Sequence, residues 1–445
     1  MAVESLPHGG RSREEIAKAE IAQTVVSPRI ARGLVAFFLS AIAIVPSIET
    51  LAARASTGSF PAIWSHLTDT PARMSAALQT LSANAAPSLW QQLLAANRAV
   101  LAGLSEFESS LEDESILGRA LRPWAQVALS GWLGAGNERV YVGRKDDSGT
   151  RWLFYRPDLE YLTNRGFLDD DVLRRRRSAV AEWTDLPAPD PRPAIRDFHR
   201  QLAALGITLV VMPTPVKPGI HPEKMAGSLH QDRGAQNPSY ARFLDWLASE
   251  GIAVFDPASM LIEARRSGAQ YLATDTHWRP EAMQLAAERL AAFITERAPL
   301  AAAGASGYRI DEQEISNQGD TVAMLDLPRH QRLFPQERLV ISRVVNGDGS
   351  RWQSDRGADV LVLGDSFSNI YSLASMGWGD SAGFVEQLSF ALARPVDRIV
   401  QNDDGAFATR ALLANAGPER LAGKRVVVWQ FAARELASGN WKVIR

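Results

Sequence analysis

The chain predicts an α/β fold built on a mostly parallel sheet, and three features lead there. The runs Asp359-Val-Leu-Val-Leu363 and Arg425-Val-Val-Val-Trp429 are continuously apolar after their first residue, as strands buried on both faces are. Helical stretches alternate with such runs from Ala194 onward, the pattern of a sheet covered on two sides. Gly206 and Gly251 stand where helices should stop, each just before a short apolar run.

The elements follow in order. Residues 1–32 mix charges without an apolar period and read as a short cytoplasmic tail. The stretch Gly33-Leu-Val-Ala-Phe-Phe-Leu-Ser-Ala-Ile-Ala-Ile-Val-Pro-Ser-Ile48 then runs uncharged to Glu49. A bilayer core takes about 20 apolar residues as a helix, roughly 17 at the least. With Ala31 and the stem of Arg32 counted in, 33–50 therefore reads as one transmembrane span or uncleaved signal anchor, with a buried core helix as the competing reading. Arg11, Arg13, Lys18, Arg29 and Arg32 precede it, which keeps that flank in the cytoplasm and translocates the rest. Leu51-Ala-Ala-Arg-Ala-Ser56 leaves cleavage open.

Residues 51–137 are expected to form a helical stalk or subdomain. Leu93, Val100, Leu104, Phe107 and Leu111 recur at helical spacing behind Pro87, a favourable helix-start residue. Trp64, Trp90, Trp124 and Trp132 fall in this region and are read as packing anchors. From Val140 the texture becomes β-like, in Val140-Tyr-Val and Trp152-Leu-Phe-Tyr155, so 138–445 is expected to be the main domain. A helix from Ala194 to Leu205 leads into the strand Leu209 to Met212. A second, about Ser239 to Glu250, leads into Ile252-Ala-Val-Phe255, and a third runs from Pro280 through Phe293. A weaker strand, Arg398-Ile-Val400, separates the two strongest ones.

Composition narrows the function classes. The 445 residues, 46% of them hydrophobic, supply a full-sized core. A net charge of −2 gives no global attraction to nucleic acid. With no cysteine, neither a disulfide framework nor a thiolate metal site is possible.

Chemistry concentrates in two segments, Thr274-Asp-Thr-His-Trp278 and Gly364-Asp-Ser-Phe-Ser368. A serine hydroxyl becomes a useful nucleophile when a histidine can take its proton, and the histidine works best when a carboxylate fixes its tautomer. Ser366 falls at the carboxyl end of a strand, where open α/β sheets bind ligands. Taken alone, Gly-Asp-Ser also describes a turn in which Asp365 or Ser366 caps a helix. Asp275 and His277, one residue apart, project to one face of an extended segment or touch directly in a tight loop. Asp-x-His also suits a zinc pair or a structural histidine. None of the other histidines forms a spaced cluster with acidic residues, so no metal and no cofactor is expected.

Asn402, after the strand ending at Val400, is the expected second donor of an oxyanion hole, with Gln401 nearly as well placed; a turn with Asp403, Asp404 and Gly405 is the plainer reading. Trp278 is expected to wall the site, and Lys217 to contact a sugar or carboxylate unless it is merely solvated. The run Arg174-Arg-Arg-Arg177 reads as a solvated helix face answering Asp169, Asp170 and Asp171.

The two segments, in this order, resemble the AlgJ/AlgX-type polysaccharide O-acetyltransferases, whose SGNH-hydrolase-like domain carries Asp-x-His-Trp before the serine turn. Supporting texture runs from Tyr141-Val-Gly-Arg144 through Met212-Pro-Thr-Pro-Val-Lys217, His221-Pro-Glu223 and Gly319-Asp320 to Arg434-Glu-Leu436. The resemblance implies a three-layer α/β/α domain in which Ser366 is the nucleophile, His277 the base and Asp275 its orienter. It further implies acetyl transfer through an acetyl-serine to hydroxyls of an exopolysaccharide, alginate-like or other, at the periplasmic face of the bacterial inner membrane. A polytopic membrane-bound O-acyltransferase is the implied acetyl supplier. The chain ends at Arg445 soon after the last motif, which suits the membrane-anchored arrangement better than the soluble one with an added sugar-binding module. An SGNH-type acetylesterase and a non-catalytic export assembly factor are the alternatives.

Overall fold

The computed structural model describes residues 27–58, 64–82, 88–146, 149–178, 186–226, 234–298, 300, 307–402 and 405–444. The tail before Ser27, the helix-start Pro87 and the Asp403-Asp404 pair lie outside these residues. The chain divides into two compact units, Met1–Arg122 and Pro123–Arg445.

In the first unit the helix Pro28–Thr57 starts on Ser27, whose hydroxyl accepts from the Ile30 N–H, and stops at Gly58 in the left-handed region. Its stretch Pro28–Ala55 is long and apolar enough to cross a membrane and contains the expected span. The helix Leu89–Glu114 opens on a reciprocal cap between Ser88 and Gln91. Its inward face is mostly small residues, among them Ala95, Ala96, Ala99 and Gly103, with Phe107 as the large one. That choice corrects the reading of the tryptophans: only Trp64 packs, stacking with Phe107 at 5.6 Å and donating to Thr50 Oγ1 at 2.8 Å. Small residues let helices approach closely and leave the large ones outside. Leu93 and Trp90 are accordingly exposed, as are Trp124 and, at 88%, Trp132 beyond this unit.

Among the described residues, the second unit carries nine strands: β1 (Val140–Lys145), β2 (Arg151–Tyr155), β3 (Thr208–Thr214), β4 (Ala253–Val254), β5 (Arg309–Asn317), β6 (Glu337–Val345), β7 (Val360–Gly364), β8 (Asp397–Val400) and β9 (Val426–Ala432). Five of them form a wholly parallel sheet in the order β4-β3-β9-β7-β8, while β1 with β2 and β5 with β6 make antiparallel pairs. Alternation along the strands builds two cores. Val210, Met212, Val360, Val362, Val426 and Val428 pack with the helices Pro280–Arg297 and Phe384–Leu392. Leu209, Val211, Leu361, Leu363, Val427 and Trp429 pack on the other side with Pro191–Ala204 and Tyr240–Ser249. Each buried Leu, Ile, Val or Phe contributes roughly 1.5–3 kcal/mol, so the sheet has helices bound firmly to both faces and is a three-layer α/β/α core.

Arg175 pairs with Asp171 at 3.3 Å as expected of a solvated face, whereas Arg176 turns inward to donate to the carbonyls of Pro189 and Gly439. The sheet brings the carboxyl ends of β3, β9, β7 and β8 to one edge, and the residues after them assemble there.

Candidate functional site

Ser366 opens the short helix Ser366–Asn369 directly after β7. Its turn is fixed by Asp365, whose Oδ1 accepts from the Phe367 N–H at 2.9 Å and from Gln430 Nε2 at 2.8 Å, while Oδ2 accepts from the Ala432 N–H at 2.6 Å. Gln430, on the adjacent strand β9, returns the favour through Oε1, which accepts from the Asp365 N–H and the Ser368 hydroxyl. The serine is thereby tied to the tips of two neighbouring strands.

The histidine comes from the other segment. Tyr271 bridges Trp278 in antiparallel fashion and the Leu272 N–H donates to the His277 carbonyl, so the intervening residues form a tight loop. Glu337 of β6 holds its outer side, accepting from the N–H groups of Ala273 and Thr274 and from the Thr274 hydroxyl at 2.6 Å. Lys217 holds its underside, donating to the carbonyls of Leu153, Ala273 and Asp275. Gly319 closes it, since a Cβ there would stand 2.0 Å from the Thr274 carbonyl oxygen.

So held, the loop presents His277 to the serine turn. Nε2 lies 2.8 Å from Ser366 Oγ, and Nδ1 lies 2.6 Å from Asp275 Oδ1. Asp275 Oδ1 also accepts from the His277 N–H, while Oδ2 accepts from Trp378 Nε1 at 2.9 Å and the Asp320 N–H at 3.0 Å. These contacts assign the imidazole tautomer: Nδ1 carries the proton toward the carboxylate and Nε2 is the acceptor for the hydroxyl. Burial opposes charge on Asp275, but the neighbouring imidazole and the donors around the carboxylate outweigh it and hold its pKa below the usual range. Burial likewise opposes charge on His277, and Asp275 outweighs it, raising the imidazole pKa. Asp320 behaves oppositely: burial first, then the charge of Asp275, push its carboxyl upward.

Ser366, His277 and Asp275 are thus brought together from segments that are 89 residues apart. Other expected roles change. Trp278 is fully buried, stacks edge-on against Phe367 at 5.6 Å and donates to the Phe367 carbonyl, so it braces the serine turn from behind and does not wall the cleft. Lys217 is neither solvated nor free for a sugar, because its ammonium is buried and spent on carbonyls; burial draws its pKa down to about 8. Asn402 is exposed, and its side-chain oxygen accepts from Asn369 Nδ2 at 2.8 Å, one helical turn after Ser366. Its amide nitrogen lies 3.6 Å from the Met376 sulfur. Gln401 gives its backbone N–H to the Gly364 carbonyl.

Asp275, His277 and Asp320 place ligand atoms within 4.8 Å of one another, close enough for a metal ion. Their donor set is arranged for protons instead, since each carboxylate oxygen already accepts an N–H or O–H and the imidazole Nδ1 carries one. Trp378, Gln430 and Glu337 take part in the site without any local signal in the sequence. Arg434, after β9, pairs with the buried Asp158 at 3.1 Å and lies 5.9 Å from the Phe367 ring centre. A hydroxyl facing a tautomer-fixed imidazole can attack an ester or acyl carbonyl.

Comparisons with known proteins agree in kind. A family model described as the SGNH hydrolase-like domain of acetyltransferase AlgX matches residues 151–433. The probable alginate O-acetylase AlgJ of Pseudomonas fluorescens is 26% identical over 257 residues, 55% of this chain and 61% of that protein. Its namesake from Pseudomonas aeruginosa is 28% identical over 251 residues, 54% of this chain and 62% of that one. The matched part therefore spans about six tenths of either curated relative. Among solved structures, the O-acetyltransferase domain of Pseudomonas putida AlgJ superposes with a TM-score of 0.50 at 19% identity, covering 68% of this chain and 94% of that domain, a likeness of fold.

Proposed function

We propose, from the premise that this chain belongs to the SGNH hydrolase-like acetyltransferase family of AlgX, that it transfers acetyl groups to hydroxyls of an exopolysaccharide through an acetyl-serine. The observation carrying this reading is the hydrogen-bonded line from Ser366 Oγ through His277 to Asp275. Ser366 Oγ attacks the donor's acetyl carbonyl while His277 Nε2 takes the hydroxyl proton, and Asp275 steadies the imidazolium so formed. The tetrahedral intermediate collapses, the acetyl–donor bond breaks and His277 returns the proton to the leaving group. An acceptor hydroxyl then gives its proton to the same nitrogen, attacks the acetyl-serine carbonyl and restores Ser366 with its proton.

The apolar helix Pro28–Ala55 supports a single-pass anchor with the main unit in the periplasm. A polytopic acyltransferase in the same membrane is the proposed acetyl supplier. The proposed organisation is a tail (1–32), an anchor (33–50), a helical stalk (51–137) and an O-acetyltransferase domain (138–445). The names of the curated relatives make an alginate-like polymer the first acceptor to test.

The test is an acceptor assay. The full chain in detergent, given p-nitrophenyl acetate and mannuronate oligosaccharides, is expected to yield acetylated oligosaccharides. Ser366→Ala and His277→Ala should lower that yield at least about a thousandfold. Free acetate with unmodified sugar would mean an esterase, and undiminished acetylation by Ser366→Ala would mean that the serine has no chemical part.

A further inference from the structure

Asp275 is one of two carboxylates that face the imidazole. The Asp320 side chain stands on the far side of Thr276, with Oδ2 3.7 Å from His277 Nδ1. Thr276 fills the gap: its hydroxyl donates to Asp320 Oδ2 at 2.6 Å, and the same oxygen lies 3.1 Å from His277 Nδ1. The Thr276 backbone N–H adds a bond to Asp320 Oδ1 at 2.8 Å. A hydroxyl whose proton is committed to a carboxylate turns its lone pairs outward, here toward the imidazole N–H. The Nδ1 proton therefore has a forked pair of acceptors, Asp275 Oδ1 near and Thr276 Oγ1 farther off.

The backbone makes this fork rigid. The Asp320 N–H donates to Asp275 Oδ2, so the two carboxylates are indexed to each other through one residue. The Thr321 hydroxyl donates to the Thr274 carbonyl and the Gly319 N–H to Thr274 Oγ1. Nothing in the Ser366–His277–Asp275 line requires a second anion at this point.

We propose that Asp320, acting through the Thr276 hydroxyl, is a second positioning carboxylate for His277 that helps set the pH at which the imidazole becomes available as a base. This inference rests on the reading of Ser366 and His277 given above. The charged groups facing the cluster are Asp275 on the same loop, Glu337 from β6, Lys217 beneath the loop, and Arg434 with its partner Asp158 behind the serine turn. Asp275 and Asp320 support the imidazolium directly, and Arg434 opposes it. The sign follows. Removing the Asp320 charge makes the imidazolium less stable, so His277 is deprotonated at a lower pH, and less help reaches the charge that develops during attack.

The experiment is the pH profile of kcat/KM for p-nitrophenyl acetate with the full chain in detergent. Asp320→Asn should move the acid limb to lower pH by about half a unit to one unit and lower the plateau roughly three- to tenfold. Asp320→Glu should return the limb toward that of the native chain. Thr276→Val, close in volume to threonine, deletes the hydroxyl but leaves the Asp320 charge, so it should move the limb the same way by less, and it supplies a reading of the same sign should Asp320→Asn fail to fold; Thr276→Ser should restore it. A lowered plateau with an unmoved limb in Asp320→Asn and Thr276→Val would reduce Asp320 to a brace for the loop and overturn the proposal. Ser366→Ala separates the two levels: a dead Ser366→Ala beside an unmoved limb sinks this inference alone, whereas an active one sinks the nucleophile reading and this inference with it.

Discussion

Asp275 is held by donors on both oxygens, and that embrace decides what His277 can do. Trp378 supplies the donor farthest from it in sequence, across 103 residues, and the indole N–H is aimed at Oδ2. A hydrogen bond to a buried charge contributes about 1.5–3 kcal/mol. Trp378→Phe deletes that donor and leaves a buried carboxylate short of one partner, so it should lower ester cleavage roughly ten- to a hundredfold and lower the melting temperature by a few degrees; steady-state kinetics beside a thermal melt would check both. The principal residues were legible because serine, histidine and aspartate sit in short segments with recognisable spacing. Trp378 carries no sequence signal, and Thr276 and Asp320 stand in quoted motifs without an assigned role, because their parts arise from contacts between distant loops. Lys217 and Trp278 belong to the site but lie beneath it: sequence marks a residue as near a site without telling whether it faces substrate or the underside.

At the level of elements, the loop that carries His277 has little regular structure and is held by side chains reaching in from elsewhere. Lys217 is the clearest of these, a buried ammonium that satisfies carbonyls from β2 and from the loop itself. Unsatisfied buried polar groups cost about 1–3 kcal/mol each. Lys217→Met removes the cation and takes a donor from all three carbonyls, of which Ala273 keeps the Leu153 N–H, so a net destabilisation of roughly 3 kcal/mol is expected. Chemical denaturation at neutral pH would measure it, and an unchanged midpoint would show that the loop stands without the lysine. The sheet was legible element by element, since β3, β7 and β9 are continuous apolar runs. The pair β5 and β6 was not foreseen, because β5 is almost wholly exposed and its Arg-Ile-Asp-Glu-Gln-Glu-Ile-Ser-Asn sequence lacks the apolar alternation that marks a half-buried strand. Yet β6 supplies Glu337. The helix Pro191–Ala204 starts earlier than the expected Ala194, because Asp190 caps a first turn that accommodates Pro191 and Pro193.

At the scale of the molecule, an apolar N-terminal helix precedes an α/β domain that sets Ser366, just after a strand tip, beside His277. The helical region was foreseen as helical, but the outward placement of Trp90, Trp124 and Trp132 was not, because helical spacing gives a face without saying which face is packed. The central claim concerns one covalent species. Brief exposure of the full chain to p-nitrophenyl acetate, an acid quench and mass spectrometry of the peptide containing Ser366 would test it most directly. The account predicts an acetyl group on Ser366 that disappears when mannuronate oligosaccharides are added and never forms in Ser366→Ala. Acetylated sugar accumulating while Ser366 stays unmodified throughout, with an equal yield from Ser366→Ala, would contradict it.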